Sequence, residues 1–289
     1  MTNTDLNAIQ HVSDTSAWVA YYRSQEFERS DALFQDPFAK VLVAEQYKKF
    51  ESMNTEVTKW TRWTVVMRTY IIDQMIWDLK SKGVNTFINL GAGLDSRPYR
   101  MNLDHSINWI EVDYPHIIDY KAEALKNYTP KCNLQTVALD LANREQRISF
   151  LSECAQKYSN IAVLTEGVLP YLTQEQVSEL SEDLTTFSSF KYWICEYISP
   201  QSYKYLRSPK RMKMMKNAPF QFYPPDWMYF FKQRGWQLSE EKYFTDTSEQ
   251  LNRPTPMPKF FKIIEFFIGP KKAQSFKRMS GFLLWKRSS

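Results

Sequence analysis

The sequence predicts an α/β fold, a mostly parallel sheet of seven strands with helices on both faces, a helical extension before it and a lid near its end. Three observations point there. From Phe87 onward short apolar runs alternate with longer segments of helical period. The first run, Thr86 to Leu90, empties into a turn built on Gly91 and Gly93. The second, Asn108 to Val112, ends on Asp113, 22 residues beyond Gly91.

Before the first strand, Val57 to Lys80 carries Trp60, Trp63, Met67, Ile71, Met75 and Leu79 at helical spacing, which suits a helix covering one face of the sheet. Strands are expected near 86–90, 107–113, 134–140, 161–167 and 191–198. Between them helices are expected over Pro115–Tyr128, about 144–157, and Gln174–Phe187, the last opened by a Thr173/Gln176 capping box. After residue 198 a Met- and aromatic-rich stretch leads to Pro224-Pro225, a helix over Asp226–Arg234 stopped by Gly235, and strands at Gln237–Phe244 and Gly281–Arg287. The late strands lack a βαβ rhythm, which predicts an antiparallel edge or near-edge pair.

With 289 residues, 43% of them hydrophobic, and no Pro/Gly/Ser linker, the chain is read as one domain over 1–289. It divides into a helical cap (1–82), a core (83–198), and a lid with the C-terminal strands (199–289). The net charge of +5 is spread among interleaved signs, so nucleic acid is not an expected partner. Basic clusters at Lys210–Lys216 and Lys271–Arg278 read as solvated faces. Cys132, Cys154 and Cys195 form no C-x-x-C, so reduced core thiols in a cytoplasmic protein are expected. The polar start MTNTDLNAIQ is not a secretory signal, and the most apolar run, Phe260 to Ile268, is too short and too charged to cross a bilayer.

Two glycines let a ligand approach the backbone closely, and an acid at that distance can accept from ribose hydroxyls. The third glycine of the dinucleotide fingerprint is missing and there is no G-x-x-x-x-G-K-[ST], which opposes a nicotinamide cofactor and a P-loop. Four predicted strand ends carry acids: Asp95, Asp113, Asp140 and Glu166. Such acids also serve as helix caps. Together they repel phosphates and favour a ligand with an amine or sulfonium. S-adenosylmethionine has those groups, and Arg68 on the preceding helix can supply the cation its carboxylate needs. None of His11, His105 and His116 has a partner in the sequence, and no metal ligand set is assigned.

The quoted residues resemble the leucine carboxyl methyltransferase family, including its bacterial polyketide-type O-methyltransferase branch. The matching pieces are Thr15-Ser16-Ala17-Trp18 with Arg23, Asp36-Pro37-Phe38-Ala39, Arg68-Thr69, Gly91-Ala92-Gly93-Leu94-Asp95-Ser96-Arg97, Glu111-Val112-Asp113-Tyr114-Pro115, Asp140-Leu141, and Glu166-Gly167-Val168-Leu169-Pro170-Tyr171-Leu172. The resemblance implies a Rossmann-like class I methyltransferase with one antiparallel strand, using S-adenosylmethionine. It implies that Arg68 holds the methionine carboxylate, that Gly91 and Gly93 pass under the methionine, that Asp113 takes the ribose, and that Ala92, Asp95 and Tyr114 also belong to the cofactor site. Asp140 and Leu141 would contact adenine. Glu166 would meet the amino group near the transferred methyl, Tyr171 would line the acceptor pocket, and Arg23 would lie near the acceptor or the cofactor carboxylate. The expected reaction is O-methylation of a small-molecule carboxylate or hydroxyl, with Tyr171 and Glu166 nearest the chemistry. A protein C-terminus as acceptor, or a binding protein without catalysis, are the alternatives. No motif names the acceptor, because 199–225 and 246–279 match nothing in the family.

Overall fold

The computed structural model describes residues 14–52, 58–256 and 269–288. His11, the polar start, Val57 and the Phe260–Ile268 run lie outside the described residues. The described residues open with three helices, α1 (Asp14–Phe27), α2 (Pro37–Leu42) and α3 (Tyr47–Ser52), and continue with the long α4 (Lys59–Ser81). The core follows as β1 (Thr86–Leu90), α5 (Arg97–Arg100), β2 (Asn108–Asp113), α6 (Pro115–Ala124), β3 (Asn133–Ala138), α7 (Arg144–Lys157), β4 (Ile161–Thr165), a 3₁₀ turn (Leu169–Tyr171), α8 (Gln174–Thr186) and β5 (Phe190–Ile198). Short helices α9 (Tyr203–Leu206) and α10 (Pro209–Met214) lie in the segment expected to be a lid. Then come α11 (Trp227–Lys232), β6 (Trp236–Tyr243), α12 (Phe244–Gln250), α13 (Pro270–Lys277) and β7 (Ser280–Arg287).

All seven strands join one sheet in the order β3-β2-β1-β4-β5-β7-β6. β1 pairs parallel with β2 and β4, and β5 continues the parallel set, whereas β7 runs antiparallel to both β5 and β6. The single antiparallel strand next to the edge is the arrangement expected from the sequence. Strands β3 and β4 stop two residues short of the expected ends, because Asp140 and Glu166 lie in the turns that follow them rather than in the ladder.

Period-two alternation sends β1 residues to opposite faces. Ile88 and Leu90 pack with Val163 of β4, Leu151 of α7, Leu180 of α8 and Phe231 of α11. Phe87 packs on the other face with Trp109 of β2, Leu164 of β4, and Ile72, Met75 and Ile76 of α4. A third cluster, with Tyr21, Tyr22, Leu42 and Phe50, ties the N-terminal helices together. The cap was legible only as a helical region: α1 is apolar on several sides, with Ala17, Ala20, Tyr21 and Tyr22 all buried, so no single stripe marks it.

Two buried tryptophans are satisfied by hydroxyls: Trp193 donates to Thr165 (3.0 Å) and Trp236 to Ser181 (3.0 Å). The Thr173/Gln176 capping box forms with both reciprocal bonds, fixing the start of α8. The three cysteines are buried and free, and no described helix is long and apolar enough to cross a membrane.

Helices α7 and α8 are also joined by charge. Arg147 donates from Nε and Nη2 to Oδ2 of Asp183 (3.0 and 2.6 Å), both side chains being almost fully buried. Asp183→Ala strands the Arg147 guanidinium and is expected to destabilise the fold by about 3–5 kcal/mol in urea unfolding. Thr173→Ala, which removes one cap, is expected to cost about 1 kcal/mol.

Candidate active site

The strand order reverses between β1 and β4, and in open α/β sheets ligands bind beyond the carboxyl ends of the strands at such a point. At the end of β1, the N–H groups of Gly91 and Ala92 both donate to the Val112 carbonyl (2.8 and 3.1 Å), binding the turn to β2. Gly91 has φ +72°, and a Cβ there would lie 2.5 Å from Cγ2 of Val168 in the turn after β4. Both its backbone angle and its neighbour therefore require glycine. Gly93 approaches Ser16 at the start of α1 so closely that its Cβ would stand 3.0 Å from that of Ser16.

Asp113 closes this turn from the side. Its Oδ2 accepts from the Gly93 N–H (2.6 Å) and its Oδ1 from the Tyr114 N–H (2.7 Å), which leaves each oxygen able to accept once more. Burial raises its pKa against those two N–H bonds. Tyr114 is 38% exposed and stacks on His116 at 5.8 Å, while the Asp140 charge faces its phenol. Asp140 is exposed and caps its own loop, accepting from the Ala142 N–H (2.9 Å). Leu141 is partly buried against the core, and its carbonyl accepts from Arg147. The structure thus groups Asp113, Tyr114, Asp140 and Leu141 along the outer side of the turn.

Behind the turn lies a network of opposite charges. Arg97 is 2% exposed and donates to three carboxylates: Asp73 (2.7 Å), Asp95 (2.7 Å) and Glu166 (2.8 Å). Arg100 grips Asp73 with both Nη atoms (2.7 and 2.8 Å) and lies 3.8 Å from Asp36. Arg23 donates to Asp36 (2.8 Å) and to the Leu94 carbonyl, and Ser96 also donates to Asp36 (2.7 Å). Arg68 of α4 completes the chain, its Nε lying 2.9 Å from Oε1 of Glu166. Burial opposes ionisation of Asp95, but Arg97 and the surrounding cations hold its carboxyl well below the usual range. Glu166 is lowered in the same way, burial being outweighed by Arg97 and Arg68.

Arg23 and Asp95 both brace the turn through bonds within the chain. Arg23 is 5% exposed and spends its described bonds on Asp36 and Leu94, bracing the turn from α1. Asp95 accepts from Asn89, from Arg97 and from the Arg97 backbone N–H, so it holds the turn's far side. Of the network's described side chains, Arg68 and Glu166 are the least buried, at 19% and 11% exposure, with Asp73 at 8%. Gly91, Gly93, Asp113, Arg68 and Glu166 are brought together around the turn.

Tyr171 ends the 3₁₀ turn after β4, its ring edge-on to Phe220 at 5.1 Å. The lid is tied to the same turn, since Gln221 donates from its backbone to the Pro170 carbonyl (2.6 Å) and from its side chain to the Tyr171 carbonyl (2.8 Å).

Three contributors escaped the sequence reading: Asp73, Arg100 and Glu196. Asp73 sits in α4 among Ile71, Ile72, Met75 and Ile76, and an acid on an apolar helical stripe was the available signal. Glu196 lies inside β5, in a run otherwise apolar from Tyr192 to Ile198, where an acid in a buried strand carries the same message. Its Oε1 accepts from the N–H groups of Val168 (2.8 Å) and Leu169 (3.0 Å). Burial pushes its carboxyl up to about 7, against those two bonds and the charge of Arg68.

The fold and site define a protein of the class I methyltransferase kind. A family model, leucine carboxyl methyltransferase, matches residues 16–185, more than half of the chain, and the chain belongs to that family. Among curated relatives, one from Mycobacteroides abscessus, named "Putative S-adenosyl-L-methionine-dependent methyltransferase", is 28% identical over 200 residues, covering 62% of this chain and 62% of its own. One of the same name from Mycolicibacterium paratuberculosis is 25% identical over 272 residues, 85% of each chain. The chain therefore spans less than two thirds of the length of the first relative and most of the second. Among solved structures, a putative methyltransferase from Thermobifida fusca YX superposes with a TM-score of 0.55 at 13% identity, covering 93% of this chain and 94% of that one, a likeness of fold.

The φ and the Val168 contact at Gly91 make a direct test possible. Gly91→Ala is expected to displace the turns after β1 and β4 together and to weaken nucleoside binding by tenfold or more, read by titration calorimetry, while far-ultraviolet circular dichroism stays that of a folded chain.

Proposed function

We propose that this chain is an S-adenosylmethionine-dependent O-methyltransferase acting on a carboxylate or hydroxyl of a small-molecule acceptor. The observation that carries the reading is the Arg68/Glu166 pair. It is the solvent-facing end of an otherwise buried charge network, and it sits beside a glycine turn whose flank is an acid with accepting capacity to spare. One cation and one anion side by side complement the α-carboxylate and α-amino groups of an amino acid. Asp113 then accepts from the ribose hydroxyls, and Asp140 with Leu141 borders the base.

When bound, the cofactor supplies a methyl group on a sulfonium, ready for in-line displacement by an oxygen nucleophile. The chain's own part is positioning. Arg97 holds Glu166 by one oxygen and leaves the other to Arg68, so Glu166 keeps its orientation while Arg68 changes partner. Tyr171 and Phe220 form an aromatic wall where the lid joins the turn after β4. A carboxylate acceptor needs no base. A hydroxyl acceptor profits from one; Tyr171 can accept the hydrogen bond of that hydroxyl, and the proton released on transfer passes to solvent. Relatives named as S-adenosyl-L-methionine-dependent methyltransferases support the cofactor. The alternative of a protein C-terminus differs only in the acceptor.

Titration calorimetry with S-adenosylmethionine and S-adenosylhomocysteine is expected to give saturable binding. Arg68→Ala and Asp113→Ala should each weaken it by about 10- to 100-fold, the loss of one charge-assisted contact. Unchanged affinity in both variants would refute the site. With methyl-labelled cofactor and whole lysate, label should appear in small molecules. Base-labile label on a protein band would place the acceptor on a protein instead. Tyr171→Phe should lower kcat with a hydroxyl acceptor and leave it nearly unchanged with a carboxylate.

A further inference from the structure

Glu196 stands at the same end of the sheet as the proposed cofactor site but outside the arginine network. Its neighbour Cys195 pairs in register with Thr165, the last residue of β4, so Glu196 lies level with the start of the turn that carries Glu166. Gly167, with φ +73° and no atom within 4 Å of where a Cβ would be, turns the chain there. Backbone direction, not crowding, sets that glycine. The turn lets the Val168 and Leu169 N–H groups converge on Oε1 of Glu196. Among the described residues Oε2 has no hydrogen-bond partner, although Glu196 is only 7% exposed.

An oxygen so placed is unsatisfied in either state. As a carboxylate it lacks a donor, and as a carboxylic acid it lacks an acceptor. The groups around it do not settle the matter. Arg68 of α4 is engaged by Glu166, and Glu166 is backed by Arg97. On its own strand Cys195 and Tyr197 are held neutral by burial, and its cross-strand partner on β7, Phe282, brings no charge. A ligand bound at this end of the sheet brings a further charge.

We infer that Glu196 is a proton-linked positioning residue, which releases its proton when a cation settles at this end of the sheet and takes one back when that charge disappears. The inference rests on the cofactor reading above. S-adenosylmethionine carries a sulfonium, and S-adenosylhomocysteine is the same molecule with a neutral thioether. The first stabilises the Glu196 carboxylate and the second does not. No bond to the ligand forms: the proton goes to buffer on binding, and one returns from buffer once the sulfur has become neutral. Ionised, Oε1 accepts the Val168 and Leu169 N–H bonds more strongly, so the turn bearing Glu166 and Tyr171 is held most firmly while the methyl donor is present. The same step favours cofactor over spent product.

The test is titration calorimetry of the wild-type protein near neutral pH in two buffers of different ionisation enthalpy, with each ligand in turn. A group with a pKa of about 7 is about half protonated there, so S-adenosylmethionine should release up to about half a proton more than S-adenosylhomocysteine. Its affinity relative to the product should rise several-fold from about pH 6 to about pH 8. Glu196→Gln keeps an oxygen for both N–H groups but cannot ionise, and should bind both ligands with no difference in proton release. Equal proton release in the wild type, or a difference that survives in the variant, overturns the inference while leaving the cofactor reading intact. A surviving difference would implicate Glu111, the other acid that burial pushes up to about 7, paired with Lys121 on β2's side of the sheet. Failure of both ligands to bind overturns the cofactor reading and this inference with it.

A ligand-free measurement reads the titration itself. The native state holds the Glu196 proton up to about 7, whereas the unfolded chain releases it near 4.5, so the native state binds more protons between those values and loses stability as pH rises through them. The Tm of Glu196→Gln relative to wild type should therefore increase from about pH 5 to about pH 8. A constant difference would contradict the proton linkage.

Discussion

The Arg97 guanidinium organises this end of the molecule. Almost fully buried, it cannot be left without partners, and it meets that demand with carboxylates from three places: Asp73 on α4, Asp95 in the glycine turn and Glu166 after β4. Arg100, Asp36 and Arg23 extend the set to the N-terminal helices, and Arg68 ends it at the surface. Four arginines thereby face four carboxylates, a balanced set among the described residues. Removing any buried member leaves another with an uncompensated charge.

That balance decides which groups are free to bind. Asp95 and Arg23 are consumed in holding the turn, and their burial keeps them so. Arg68 and Glu166 are the least buried members of the set, at 19% and 11% exposure. A zwitterion can replace that one contact with two of the same kind without disturbing Arg97. Gly91 adds a mechanical link, since its closeness to Val168 binds the turn after β1 to the turn after β4. The lid, joined to Pro170 and Tyr171, rests on the same pair of turns.

The sheet was legible because buried parallel strands write themselves as short apolar runs, and each of the seven appears within a few residues of its expected place. The acids Asp113 and Glu166 were legible because they follow such runs. What the sequence could not assign was the division of labour among charged residues. Asp95 looks like a ligand-binding acid until its three donors are seen, and Arg97 lies in the glycine motif with no hint of its partner on α4, since Asp73 is remote in the chain. Glu196 was hidden inside β5 because an apolar run absorbs one acid without losing its period. The N-terminal helices were hidden by having apolar residues on more than one side. In the C-terminal third, short helices and aromatic packing leave no periodic trace, so the acceptor wall was the least readable part.

The central claim is that the Arg68/Glu166 pair is the receptor for an amino acid head group, opened by exchange of partners. A crystal structure of the complex with S-adenosylhomocysteine tests it most directly. The account predicts the ligand carboxylate on Arg68, its amino group on Glu166, its ribose hydroxyls on Asp113, and the Arg97 bonds to Asp73, Asp95 and Glu166 unchanged. An intact Arg68/Glu166 pair with the ligand bound elsewhere, or an Arg97 that has left Glu166, would contradict it.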